Sequence, residues 1–150
     1  MQLSDVLTPD RIQLDCTVSS KKTLLERMAA ILATQPESAD EREIFESLCQ
    51  RERLGSTGLG DGVAIPHGRN TQQKEIIGAI IRLKKPINFD APDHQPVDLF
   101  FALAIPNDCS DAHLKLLANI ADFFKDGDCR DILRETVDAE RVIELMSDGE

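Results

Sequence analysis

Two apolar runs, "IIGAIIRL" at 76–83 and "VDLFFALAIP" at 97–106, constrain this chain more than anything else in it. Neither alternates between apolar and polar residues, so each reads as a strand covered on both faces. Such strands need a layer of other elements on each side, and the rest of the chain supplies helices. "IQLDC" at 12–16 adds a short alternating strand. "SSKKTLLERMAAILATQ" at 19–35 predicts a helix capped by Ser19 or Ser20, with Leu24, Leu25, Met28, Ile31 and Leu32 at helical spacing. "PESADEREIFESLCQRERLG" at 36–55 predicts a second helix, with Ser38 and Glu41 as its capping box and Ile44, Phe45 and Leu48 as its apolar stripe. The polar, proline-rich segment at 84–96 reads as a loop. "CSDAHLKLLANIADFFKDGD" predicts a third helix, capped by Ser110 and stopped near Gly127. A short segment at 129–135 and a last helix at 138–147 follow. The expected fold is α/β: a single domain over 1–150, with a central, mostly mixed β-sheet flanked by helices on both faces.

The chain has 150 residues and a net charge of -10. That balance argues against nucleic acid, whose phosphates demand clustered Lys and Arg, and against anionic membrane surfaces. No apolar run approaches the roughly 18 residues of a membrane span. "MQLSDVLTPD" lacks the basic start and apolar core of a signal peptide. A cytoplasmic location is therefore expected. Cys16, Cys49, Cys109 and Cys129 are widely spaced and form no C-x-x-C pair, so they read as packed thiols rather than disulfides or ligands.

Residues 55–69, "GSTGLGDGVAIPHGR", hold five of the 8 glycines and one of the 3 histidines. A P-loop needs Gly-Lys-Ser/Thr at a helix start, and no lysine falls between Lys22 and Lys74. A dinucleotide fingerprint needs a helix after the glycines, whereas "VAIP" reads as extended chain closed by proline. Ser56 is not in G-x-S-x-G, and His67, His113 and the cysteines show no zinc spacing. Glycines do allow positive φ, tight turns and close approach, and exposed N–H groups in such a loop can form a concavity for an anion. Gly55, Ser56, Thr57, Gly58, Gly60, Gly62 and Gly68 thus form a candidate phosphate cradle beside His67. Pro66 restricts Ile65 and donates no hydrogen bond, which helps to fix where His67 points. His113 falls in the first turn of the third helix, where free N–H groups suit phosphate. His94 reads as an ordinary loop residue.

"QRERLGSTGLGDGVAIPHG", "QPVDLFFALAIP" and "AHLKLLANIA", in that order and spacing, resemble the enzyme IIA components of the fructose/mannitol type in the bacterial phosphoenolpyruvate phosphotransferase system. The nitrogen-regulatory branch is the most similar, and the resemblance runs from roughly Leu3 to Met146. It implies one enzyme IIA type-2 domain over 1–150, a mixed sheet flanked by helices, and a phosphoryl group carried on histidine without metal or cofactor. It implies that His67 is the phosphorylated residue, His113 the second active-site histidine and Arg51 the arginine preceding the glycine loop. Arg69 stands where relatives often carry lysine, and is expected to contribute less. The implied donor is an HPr-type phosphocarrier protein, in this branch its nitrogen paralogue. Implied targets are regulatory proteins such as potassium-transport or sensor-kinase proteins. With no transporter domain following the last helix, a regulator of nitrogen and potassium metabolism is favoured over the alternative, a sugar-specific enzyme IIA that passes phosphate to an enzyme IIB. Leu54, Leu59, Val63 and Ile65 are candidates for an apolar rim around the site. Val63 and Ile65 are expected to be buried, and Leu59 to be the exposed anchor.

Overall fold

A computed structural model describes residues 2–34, 38–109 and 111–147. After two short 3-10 turns, the strands are β1 (Ile12–Cys16), β2 (Gly58–Gly60), β3 (Val63–Ala64), β4 (His67–Asn70), β5 (Ile77–Ile87) and β6 (Val97–Pro106). The helices are α1 (Lys21–Leu32), α2 (Glu41–Arg53), α3 (Ala112–Lys125), α4 (Gly127–Glu135) and α5 (Ala139–Ser147). The strands form one mixed sheet in the order β1-β5-β6-β3-β2, with β4 also on β6. β5 and β6 run antiparallel; β1 is parallel to β5, and β3 and β4 are parallel to β6.

Side chains alternate across the sheet, and each face finds its own helices. Ala79, Ile81, Phe100 and Ala102 pack with Leu24, Met28, Ile44 and Leu48 of α1 and α2. Ile80, Leu99, Phe101 and Leu103 pack with Leu116, Ile120, Leu133 and Val142 of α3, α4 and α5. The result is the three-layer arrangement required by the two apolar runs.

Several local expectations change. α2 is capped by Asp40, whose carboxylate accepts from the Glu43 N–H at 2.8 Å, rather than by a Ser38/Glu41 box. Ser38 lies one turn residue too early, in a bend before the helix. β5 continues past the expected loop start to Ile87, which pairs with Val97 after a register shift. Pro86 is tolerated there because the ladder is irregular. Gly127 opens α4 under an Asp126 cap. The proposed cap Ser110 lies outside the described residues.

β3 and β4 lie end to end along one edge of β6. β3 pairs with Leu99 and Phe100, and β4 with Leu103 to Pro106. The break between them falls at Ile65 and Pro66. Proline has no N–H to give, but its carbonyl accepts from the Leu103 N–H at 2.9 Å. This broken edge strand carries His67.

Candidate active site

His67 opens β4 and is half buried. Its Nδ1 lies 2.8 Å from the Ile65 carbonyl oxygen. A carbonyl only accepts, so Nδ1 carries the ring proton and Nε2 keeps its lone pair. Burial pushes the His67 pKa below the ordinary histidine value; the Ile65 hydrogen bond opposes that, and the Arg51 charge adds to it. The ring is thus neutral near pH 7, with one nitrogen proton-bearing and anchored and the other unprotonated.

His67 opens onto a shallow cavity of about 390 Å³. Gly68 and Arg69 line it from β4, Ser47, Arg51 and Leu54 from the α2 end, and His113, Leu114 and Leu117 from α3. Helical spacing explains two of those walls: 47, 51 and 54 share one face of α2, and 113 and 117 one face of α3. Gly68 explains how closely α2 lies against β4. A Cβ there would stand 2.5 Å from Ser47 Oγ and 2.8 Å from the Ser47 carbonyl carbon. Only glycine lets the helix come that near.

Arg51 sits in the last turn of α2, where a cation suits the helix dipole. It donates to the Gly55 carbonyl at 2.9 Å. His113 is the second residue of α3 and is buried. Its Nε2 lies 2.9 Å from Arg69 Nη2. Burial first, and the Arg69 guanidinium second, hold its pKa below the usual histidine range. The structure therefore brings His67, His113, Arg51 and Arg69 together around one cavity. His94 is an exposed loop residue at φ 60 that does not line it.

The glycine run is divided by the fold. Of the expected cradle, only Gly68 lines the cavity, and Gly55 touches Arg51. Gly58, Gly60 and Gly62 form the β2–β3 hairpin. Gly60 and Gly62 have φ of 93 and 79, and an added Cβ at Gly58 would stand 2.9 Å from Ala91 Cβ. Ser56 Oγ donates to the Phe89 carbonyl at 3.1 Å. The Thr57 hydroxyl and N–H both donate to the buried Glu52 carboxylate, which Lys21 Nζ approaches to 3.1 Å. These residues tie the hairpin to α1, α2 and the β5–β6 connection, so local packing accounts for most of the glycine density.

Exposure also sorts the apolar candidates. Val63 and Ile65 are buried, as expected. Leu59 is 44% exposed, but Leu54, at 85%, is the more exposed and borders the cavity. Leu114, 58% exposed on the α3 wall, went unremarked in the sequence, as did Glu52. Only an explicit helix projection of 112–125 would have flagged Leu114. The cysteines are free and partly buried. Among the described residues no His/Cys/Asp/Glu cluster could hold a metal, and no helix is long and apolar enough to cross a membrane.

The chain resembles known proteins over its length. A nitrogen regulatory protein of Pseudomonas aeruginosa is 40% identical over 148 residues, covering 99% of this chain and 96% of that protein. One from Bradyrhizobium diazoefficiens is 41% identical over 147 residues, covering 98% and 95%. The crystal structure of nitrogen regulatory protein IIA-Ntr from Neisseria meningitidis superimposes with a TM-score of 0.91 at 41% identity, covering 96% of this chain and 98% of that one. The family model described as phosphoenolpyruvate-dependent sugar phosphotransferase system, EIIA 2, matches residues 5–149. With its mixed three-layer fold and full-length likeness to nitrogen regulatory proteins, the chain belongs to the EIIA 2 family of the phosphoenolpyruvate-dependent phosphotransferase system.

Proposed function

We propose that this enzyme IIA component is a phosphohistidine carrier and switch of the nitrogen phosphotransferase system, accepting its phosphoryl group on Nε2 of His67. The observation that carries this reading is the His67 ring, neutral, held at Nδ1 by the Ile65 carbonyl, and opening onto a cavity shared with Arg51 and His113. The donor is an HPr-type phosphocarrier, here its nitrogen paralogue, bearing a phosphohistidine of its own. The lone pair on Nε2 attacks phosphorus, a new N–P bond forms, and the N–P bond to the carrier breaks. The carrier's ring keeps that electron pair. Positive charge that develops on the His67 ring is offset at Nδ1–H by the Ile65 carbonyl. Negative charge on the transferring oxygens is met by Arg51, with His113 on the wall of the same cavity. Gly68 leaves room for the group, and Gly55 places Arg51.

Phosphate adds about -2 charge at this spot, between the exposed side chains of Leu54 and Leu114. Partners that dock on the apolar rim therefore distinguish the two states, as a switch requires. The targets in this reading are cytoplasmic regulatory proteins such as potassium-transport or sensor-kinase proteins. The test is to incubate the protein with phosphoenolpyruvate, enzyme I and an HPr-type carrier, and then to locate the phosphate by nitrogen–phosphorus NMR. Phosphate on Nε2 of His67 is expected; phosphate on Nδ1 or on another residue overturns the reading. Efficient onward transfer to a sugar enzyme IIB would move the protein to the sugar-uptake branch.

A further inference from the structure

Arg69 touches more of the site than a solvated strand charge would. One end of its guanidinium, Nη1, donates to the carbonyls of Asn107 at 2.9 Å and Cys109 at 2.8 Å. The other end, Nη2, meets Nε2 of His113 at 2.9 Å. The fork thus bridges β4, the loop after β6 and the first turn of α3. Arg69 follows His67 by two residues on the same strand, so both side chains project from one face of β4. That face is shared with Leu103 and Ile105, their partners on β6, which pack toward α3.

The chemistry of the contact fixes a proton. A guanidinium is donor-only and stays protonated. Nε2 of His113 must then be the acceptor and keep its lone pair. The single proton of the neutral ring sits on Nδ1, whereas a free histidine ring in water prefers Nε2–H. An imidazolium is disfavoured as well, since it would set one N–H against another. Nδ1 of His113 is itself buried and has no hydrogen-bond partner among the described residues. A buried donor without an acceptor is costly, so the ring would not adopt this state unaided.

We propose that Arg69 is a positioning residue of this site, fixing both the orientation of His113 and the placement of its proton on Nδ1. The one hydrogen His113 then carries is the Nδ1–H, closed off from solvent in the resting protein, while Nε2 is held by Arg69. The purpose of the contact rests on the phosphoryl-carrier reading; its existence does not. A lysine at this position offers one ammonium in place of a planar fork, so it cannot hold the loop carbonyls and the ring in the same fixed geometry.

The test uses the full chain with nitrogen-15-labelled histidine. Long-range proton–nitrogen spectra near pH 7 should show His113 as the Nδ1–H tautomer in the wild type. Arg69→Met should move it toward Nε2–H and bring its titration nearer to that of an ordinary histidine. The titratable neighbours then left around it are Asp111, ahead of α3, and the neutral ring of His67 on β4. Arg69→Lys should retain part of the wild-type signature. Phosphoryl transfer from an HPr-type carrier should slow by on the order of 10-fold in Arg69→Met, with KM for the carrier unchanged and Arg69→Lys intermediate. A wild-type His113 protonated on Nε2 overturns the proposal. So does an Arg69→Met protein with an unchanged tautomer or a wild-type rate. The ring spectra need no phosphoryl donor: if they come out as expected while no variant accepts phosphate, it is the carrier reading that fails and not the Arg69 contact.

Discussion

In the proposed phosphoryl acceptance, the chemistry at His67 turns on a neutral ring with Nε2 unprotonated. Because burial lowers its pKa, the neutral fraction persists below the ordinary histidine value of about 6.5. The acid fall-off in the rate of phosphoryl acceptance should therefore be centred below about pH 6.5. A fall-off centred at or above that value contradicts the assignment of His67 as a depressed, neutral acceptor. The same depression links to stability. His67 and His113 both bind protons less readily in the folded chain than in the unfolded one. Their contribution is complete above about pH 6.5 and is lost as pH falls through the folded-state values. Urea denaturation should give a lower midpoint at acid pH, and His113→Gln should flatten that dependence. His113→Ala should slow phosphoryl transfer by on the order of 10², measured by single-turnover kinetics with the fold intact. His67, His113 and Arg51 were legible as candidates because their residue types fit phosphate chemistry and the glycine-rich stretch resembles a known signature. The Arg69–His113 contact was not legible, because it joins residues 44 positions apart that only the pairing of β4 with β6 brings together.

Among the elements, β4 is the one the sequence hid. "HGRN" contains no β-branched or aromatic residue, and local propensity gives no strand there. Pairing with the last residues of β6 imposes it. α2 and the two apolar strands were legible because periodicity and length announce them, whereas the α2 cap was misplaced by two residues. Gly68 shows how an element constrains the site. Gly68→Val would drive a side chain into Ser47, where even a Cβ stands 2.5 Å from Oγ. Overpacking of this kind costs about 1–3 kcal/mol, visible as a lowered urea midpoint, and it should slow transfer because α2 carries Arg51. A Gly68→Val protein with wild-type stability and rate contradicts the close packing of α2 on β4.

For the molecule as a whole, both sheet faces are covered, and the β4 edge and the ends of α2 and α3 border the cavity. The three-layer plan followed from the apolar runs alone, but the placement of the cavity depended on where the edge strand breaks. Around that cavity an acidic protein of net charge -10 presents two arginines and the exposed side chains of Leu54 and Leu114. Leu54→Ser and Leu114→Ser should each weaken docking of the phosphocarrier by about 1 kcal/mol, roughly fivefold in Kd, measured by calorimetry. Unchanged affinity in both would place the docking surface elsewhere. The central claim is that this enzyme IIA component carries phosphate on His67, and intact mass after incubation with phosphoenolpyruvate, enzyme I and an HPr-type carrier tests it most directly. The wild-type chain should gain one phosphoryl group, labile in acid and stable in base, and His67→Ala should gain none. Full labelling of His67→Ala, or no labelling of the wild type, would contradict the account.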